Sequence, residues 1–169
     1  MVRWDAAESS QISPICVGQR PLSVRLRALL PDWPGSFQDP GLRVFADQFA
    51  DWYPLKSFRS GQRFLAALSH VGGRLYEVGV DGSETLWGHV LEWRPPHALA
   101  ISWHARASED QAQRVDVSFR SVAAGMEVKL IHAGWENLKV EAAALRDRYD
   151  GGWVEIFEQR FKAFAESLH

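Results

Sequence analysis

The sequence predicts an α+β fold, an antiparallel sheet covered by a long C-terminal helix, on three observations. The last twenty residues carry one stripe of very large side chains at helical spacing. From Arg63 to Ala133 the chain is a series of period-two runs separated by turn residues. Ahead of that series lie one more alternating run and one more helical pattern. Sheets and helices each need a partner for their apolar side, and this element order supplies it.

The terminal stretch sets the requirement. At about 100° per residue, Trp153, Phe157, Phe161, Phe164 and Leu168 fall at about 0, 40, 80, 20 and 60° on one side of a helix. Glu158, Gln159, Lys162 and Glu166 occupy the other side. Asp150 is the expected N-cap, Gly151 and Gly152 turn the chain just before it, and Glu155 sits in the first turn. A stripe this bulky needs a broad, concave apolar surface upstream.

In chain order, residues 1–20 are aperiodic and read as a loose N-terminal extension to a single domain spanning 21–169. Pro21 to Leu30 is a first strand, with Leu22, Val24, Leu26 and Ala28 on one face, and Pro31 and Pro34 end it. Asp39 and Pro40 cap and start a helix carrying Leu42, Phe45, Phe49 and Trp52, closed by Pro54. Strands follow at Arg63 to Val71, Arg74 to Val80 and Glu84 to Arg94, the last two joined by a tight turn at Asp81-Gly82. Pro95-Pro96 interrupts the sheet before Ala98 to Arg106. Strands at Arg114 to Ser121 and Met126 to Ala133 complete it.

Alternation assigns the faces. Val115, Val117 and Phe119 point inward, as do Met126, Val128, Leu130 and His132. Glu92 and Arg94 mark the wet face of their strand, so Trp87, His89, Leu91 and Trp93 are expected inside, with Leu99, Ile101 and Trp103 beside them.

Composition narrows the function. The 169 residues are 46% hydrophobic and 24% charged, enough for one well-buried core. A net charge of −2 without a Lys/Arg cluster argues against nucleic acid. Cys16 is alone, so no internal disulfide forms, and no basic-then-apolar leader is seen. No apolar run is long enough to span a membrane, and the expected location is the cytoplasm. Eight Trp and nine Phe are an excess of rings, which fill cores and also line apolar ligand sites.

A series of short motifs then carries a resemblance. Gly72-Gly73-Arg74-Leu75-Tyr76-Glu77, Asp81-Gly82-Ser83-Glu84, Trp87-Gly88, Pro95-Pro96-His97, Ser102-Trp103, His132-Ala133-Gly134-Trp135 and Tyr149-Asp150-Gly151-Gly152-Trp153 resemble bacterial proteins similar to the C-terminal domain of the activator of Hsp90 ATPase. These belong to the START-like superfamily, also called SRPBCC or Bet v 1-like. The resemblance spans roughly residues 42–168. It implies a helix-grip fold, a curved antiparallel sheet of six to seven strands wrapped around the long C-terminal helix, with short helices after the first strand and an apolar cavity between sheet and helix. The segment from Leu30 to Gly41 is longer than the family pattern, and residues 1–20 are additional.

The expected ligand is a small apolar or amphipathic molecule, lipid-like or polycyclic, among Tyr76, Trp87, His89, Leu91, Ile101 and Trp103 on one side. Val117, Phe119, Leu130 and His132 extend that surface, and Trp153, Phe157, Arg160 and Phe161 of the helix close it. Arg160, at about 340° on the apolar side of the helix, either snorkels past the sheet or anchors an acidic head group. His89, His132 and Glu77 are the candidate acids and bases of a cyclase- or dehydratase-like enzyme, although the reading favoured for each is a hydrogen-bonded buried group. Trp33, Trp52 and Tyr53 border the mouth or pack a lid. No HExxH or Cys/His series appears, so no metal site is expected, nor a phosphate loop or cofactor motif. The family name also raises an Hsp90-type chaperone as a partner. Either a monomer or a homodimer fits.

Overall fold

The computed structural model describes residues 20–28, 40–53, 63–105, 107–123 and 125–168. Trp33, Cys16, the 1–19 extension, the Asp39 cap and the prolines at 31, 34 and 54 lie outside the described residues. Seven strands form one antiparallel sheet in the order β1-β7-β6-β5-β4-β3-β2. They are β1 Leu22–Ala28, β2 Arg63–Ala66, β3 Arg74–Val78, β4 Glu84–Arg94, β5 Ala98–Trp103, β6 Gln113–Val122 and β7 Gly125–Ala133. From β2 to β7 every neighbour in the sheet is a neighbour in sequence. Only β1 crosses over, to pair with β7 along its whole length from Leu22↔His132 to Ala28↔Met126.

Period-two patterning explains the strands where it is unbroken. In β1, β6 and β7 burial alternates as the sequence predicts, with Leu22, Val24, Leu26, Val115, Val117, Phe119, Met126, Val128, Leu130 and His132 all buried. The β3–β4 connection is longer than the expected two-residue turn. Val78 pairs with Glu84, and Gly82 takes a positive φ, of 80°. Asp81 Oδ1 accepts the Ser83 N–H at 3.0 Å and the Ser83 hydroxyl at 2.6 Å, so a side chain closes the loop. Pro95-Pro96, joined by a cis peptide, turns the chain without interrupting the sheet, since β4 and β5 pair right up to Arg94↔Ala98.

The helix after β1 is two pieces, α1 Pro40–Asp47 and α2 Phe49–Trp52, bent where Gln48 leaves helical geometry at φ −109° and ψ 22°. Leu42, Phe45, Phe49 and Trp52 are all buried, as their spacing predicts.

The terminal helix departs most from expectation. It begins at Ala142, well before Asp150, following a 3₁₀ segment Trp135–Glu141 that starts at Gly134, φ 86°. Asp150, Gly151 and Gly152 therefore lie inside α3 Ala142–Trp153. Val154–Phe161 then winds as a π-helix before α4 Lys162–Ser167. The wider i→i+5 turn corrects a drift. In an α-helix, side chains four apart advance by about 40° each step, whereas at about 80° per residue they fall back by a similar angle. Trp153, Phe157, Phe161 and Ala165, which would spread over about 120° of a continuous α-helix, consequently fall within about 80° of one another and are all buried. Phe164 and Leu168 of the expected stripe are only half-buried beside it.

Candidate functional site

Between helix and sheet the described side chains form a nearly continuous aromatic layer. One cluster surrounds α1 and α2. Phe45 meets Phe157 and Phe161 of the helix at 6.3 and 5.6 Å between ring centres, and Phe119 of β6 at 6.0 Å. A second cluster surrounds His132, with Trp135 at 4.0 Å, Tyr149 at 5.0 Å, Trp153 at 5.9 Å and Trp103 at 6.4 Å. Tyr53 bridges the two, 6.3 Å from Trp87 and 6.1 Å from Trp103. Edge-to-face and offset pairs of this kind contribute about 0.5–1.5 kcal/mol each beyond their burial.

His132 is sealed in this layer, with 0% of its surface exposed. Its Nδ1 accepts the Trp153 indole N–H at 2.9 Å, which assigns the ring proton to Nε2. Nε2 is itself buried without a hydrogen-bond partner among the described residues. Burial disfavours the imidazolium and pushes the pKa down from 6.5 to about 3, so the ring is neutral in ordinary buffers. The backbone carbonyl of His132 accepts the Trp135 indole N–H at 3.0 Å, and the Trp103 indole N–H reaches the Tyr149 hydroxyl at 3.0 Å. Every indole of this cluster is thereby satisfied, and His132 acts as an acceptor that fixes Trp153.

Trp87, Ile101, Trp103, Val117, Phe119, Leu130, His132, Trp153, Phe157 and Phe161 are brought together as predicted, each buried to 4% exposure or less. Four other expected residues are not. Strand β4 contains two irregularities: Leu75 pairs with Gly88 but Tyr76 with Leu86, and Val90 pairs with Ile101 but Glu92 with Ala100. Trp87 and Leu91 are each one residue too many, so the strand changes face twice. Val90 takes the inner position that strict alternation assigns to His89 and Leu91. His89 falls on the outer face, and Leu91 is 42% exposed. Gly88 permits the first irregularity, because a Cβ there would lie 1.7 Å from the Ser102 carbonyl oxygen.

On β3, Leu75 is fully buried and Glu77 shares its side, whereas Tyr76 lies with Arg74, whose guanidinium stacks 4.5 Å over the ring. Tyr76 is thus an outer-face residue. Glu77 is an inner one, paired across the ladder with Thr85, whereas His89 stands opposite Arg74, so these two candidate groups are not cross-strand partners. The Glu77 Oε2 atom is buried with no hydrogen-bond partner among the described residues.

Arg160 is exposed and pairs with Glu155 at 3.2 Å, five residues away. The π-helix supplies the reason. At about 80° per residue Arg160 lies about 200° from Trp153, on the outer side next to Glu155, rather than at the 340° of an α-helix.

Two features were not foreseen. His104, just past β5, is buried, and its Nε2 has no hydrogen-bond partner among the described residues. It stands with His89 and Glu109, each residue offering a donor atom within 4.8 Å of the other two. The second is an open groove of about 540 Å³ on the outer face near the Pro95-Pro96 turn, lined by Arg94, His97, Ser118, Arg120 and Lys129 among others, away from the helix.

A long C-terminal helix held against a seven-stranded antiparallel sheet, with two short helices after the first strand, defines a START-like protein of the helix-grip class. The family is narrower. Residues 45–166 match the model of the activator of Hsp90 ATPase homolog 1-like proteins, and the chain belongs to that family. Among curated proteins none matches it. Of solved structures, an anthrahydroquino-γ-pyrone synthase, Txn09, is similar at 29% identity and TM-score 0.50, covering 86% of this chain and 95% of that one. A protein of Mesorhizobium loti shares the fold at TM-score 0.62 and 14% identity, covering 89% and 99%. An activator-like protein of Aeromonas hydrophila does so at 0.54 and 19%, covering 88% and 94%. No helix among the described residues is long and apolar enough to cross a membrane.

Proposed function

We propose that the chain binds a small, oxygenated polycyclic aromatic molecule between the terminal helix and the sheet, with Glu77 as the polar group that orients it. The observation that carries this reading is the Glu77 Oε2 atom, buried on the side of β3 that Leu75 shares and without a hydrogen-bond partner among the described residues. A buried carboxylate oxygen without a partner is costly, and a guest hydroxyl would supply the donor it lacks. Flat rings suit a wall of Tyr53, Trp87 and Trp103, whose faces and edges offer stacking of about 0.5–1.5 kcal/mol per pair. Because these rings already touch one another, a guest displaces some of those contacts and is bound with the difference.

A second reading, catalysis, is favoured by the 29% identity to the synthase. Of the three candidate groups, His132 is sealed and His89 is on the outer face, which leaves Glu77 as the base that would draw a proton from an acidic phenol or ketone. An Hsp90-type partner is suggested by the family description alone and by no surface feature described above.

The test is quenching of Trp emission by hydroxylated anthraquinones, their deoxy analogues and fatty acids. Glu77→Gln should weaken the hydroxylated guests by about 10- to 100-fold, the size of a hydrogen bond to a charged group, and leave the deoxy analogues unchanged. Equal losses for both series, or no quenching by any polycycle, would remove the proposal. Turnover by the wild type that Glu77→Gln abolishes would establish the second reading.

A further inference from the structure

On the opposite side of β4 from this aromatic layer, we infer that His89, His104 and Glu109 form a binding site for one divalent transition-metal ion of the zinc type. The three residues come from different places in the chain: the outer face of β4, the first position after β5, and the start of the 3₁₀ segment Glu109–Gln111. The sheet brings the first two together. His89 donates its backbone N–H to the Ser102 hydroxyl at 2.8 Å, and His104 donates its own to the Trp87 carbonyl at 2.8 Å. The His104 carbonyl then accepts the Ala107 N–H at 2.8 Å, which starts the loop that carries Glu109 back over both imidazoles. Both histidine backbones are therefore fixed before any ion arrives, which limits the ordering cost of binding.

The donor set selects the ion. Two imidazoles and one carboxylate suit zinc and its first-row neighbours, whereas calcium and magnesium take oxygen shells. Three protein donors leave a fourth position open, as in catalytic rather than structural zinc sites. The donor atoms lie within 4.8 Å of one another, and a tetrahedral shell with bonds of about 2.0–2.2 Å places them about 3.4 Å apart. The exposed Glu109 side chain can close that gap by a rotamer change. The independent sign of a ligand is His104 itself. It is 96% buried by its 4% exposure, and its Nε2 has no hydrogen-bond partner among the described residues. An imidazole nitrogen withdrawn from water and given no protein partner is matched by a metal ion. Arg74, across the ladder from His89, is engaged elsewhere, by Glu84 at 2.8 Å and by the face of Tyr76.

The experiment is titration of the chelator-treated full chain with zinc chloride, read by native mass spectrometry for stoichiometry and by calorimetry for affinity. One ion per chain is expected. His89→Gln and Glu109→Gln should each weaken binding by at least the 10- to 100-fold that even an outer-shell partner contributes. Glu109 is exposed, so its variant folds irrespective of any cost at the buried His104. His97→Gln, at an exposed histidine on the outer-face groove, should leave the affinity unchanged. Absence of stoichiometric uptake, an unchanged affinity in Glu109→Gln, or an equal loss in His97→Gln would each overturn the assignment. Failure of any of these outcomes leaves the guest-site proposal standing, because that proposal rests on Glu77 on the other face of the sheet.

Discussion

His132 makes a strong prediction about acid. Its pKa falls from 6.5 in the unfolded chain to about 3 in the fold through burial, so the unfolded state binds the extra proton first. The stability associated with the neutral ring is complete above pH 6.5 and is lost as the pH falls towards 3. That fall amounts to about 5 kcal/mol in total, at about 1.4 kcal/mol per tenfold. Replacing His132 by Phe removes the titration but strands the Trp153 indole N–H, which now donates to Nδ1 at 2.9 Å, at a cost of about 1–3 kcal/mol. At pH 7 the variant is therefore less stable than the wild type by about that amount. On acidification the difference shrinks by about 1.4 kcal/mol per pH unit below 6, and the two stabilities cross near pH 5. Urea unfolding followed by Trp emission at pH 7, 6, 5 and 4 gives both curves. Asp81, Glu92 and Glu127 have lowered pKa values, through hydrogen bonds from Ser83, Arg114 and Arg120 respectively, and also lose stability in acid. They do so equally in both proteins, so the difference isolates His132. Parallel curves would refute the argument that the buried ring is neutral.

Two further substitutions test the geometry. Gly88→Ala places a methyl 1.7 Å from the Ser102 carbonyl oxygen and forces β4 and β5 apart, so it should cost at least about 2 kcal/mol, a drop of about 4–8 °C in Tm by calorimetry; an unchanged Tm would disprove the close approach. Arg160→Leu removes an exposed ion pair with Glu155 and should alter stability by no more than about 0.5 kcal/mol in urea unfolding, with acidic and neutral guests quenching Trp emission as before; selective loss of acidic guests would return Arg160 to the binding site.

How much of this was legible in the sequence depends on where the local period holds. In β1, β6 and β7 the alternation runs unbroken and the burial follows it residue by residue. The motif series likewise matched the family and the order of elements. The errors fall where backbone geometry changes period without a compositional mark. Strand β4 carries two extra residues, and nothing in Trp87-Gly88-His89-Val90-Leu91 except the glycine announces them. The π-helix at Val154–Phe161 has no sequence signature of its own, and it alone moves Arg160 from the inner side to the outer. Gly151-Gly152, a turn signal in isolation, is helical because the flanking Tyr149 and Trp153 pack against the core. The His89, His104, Glu109 group was invisible because its spacings of fifteen and five residues match no local ligand pattern; strand pairing closes the first and the loop after β5 the second.

Because β4 reverses its facing around Gly88, the side chains flanking that glycine, Trp87 and His89, serve opposite compartments. The peptide carbonyl of Trp87, whose ring looks inward, is also the group that anchors His104 on the outside. A cation drawing the two imidazoles together would tug on the same hinge that carries the indole. By thermodynamic reciprocity, a guest that shifts this indole must alter the cation's affinity by the same factor that the cation alters the guest's.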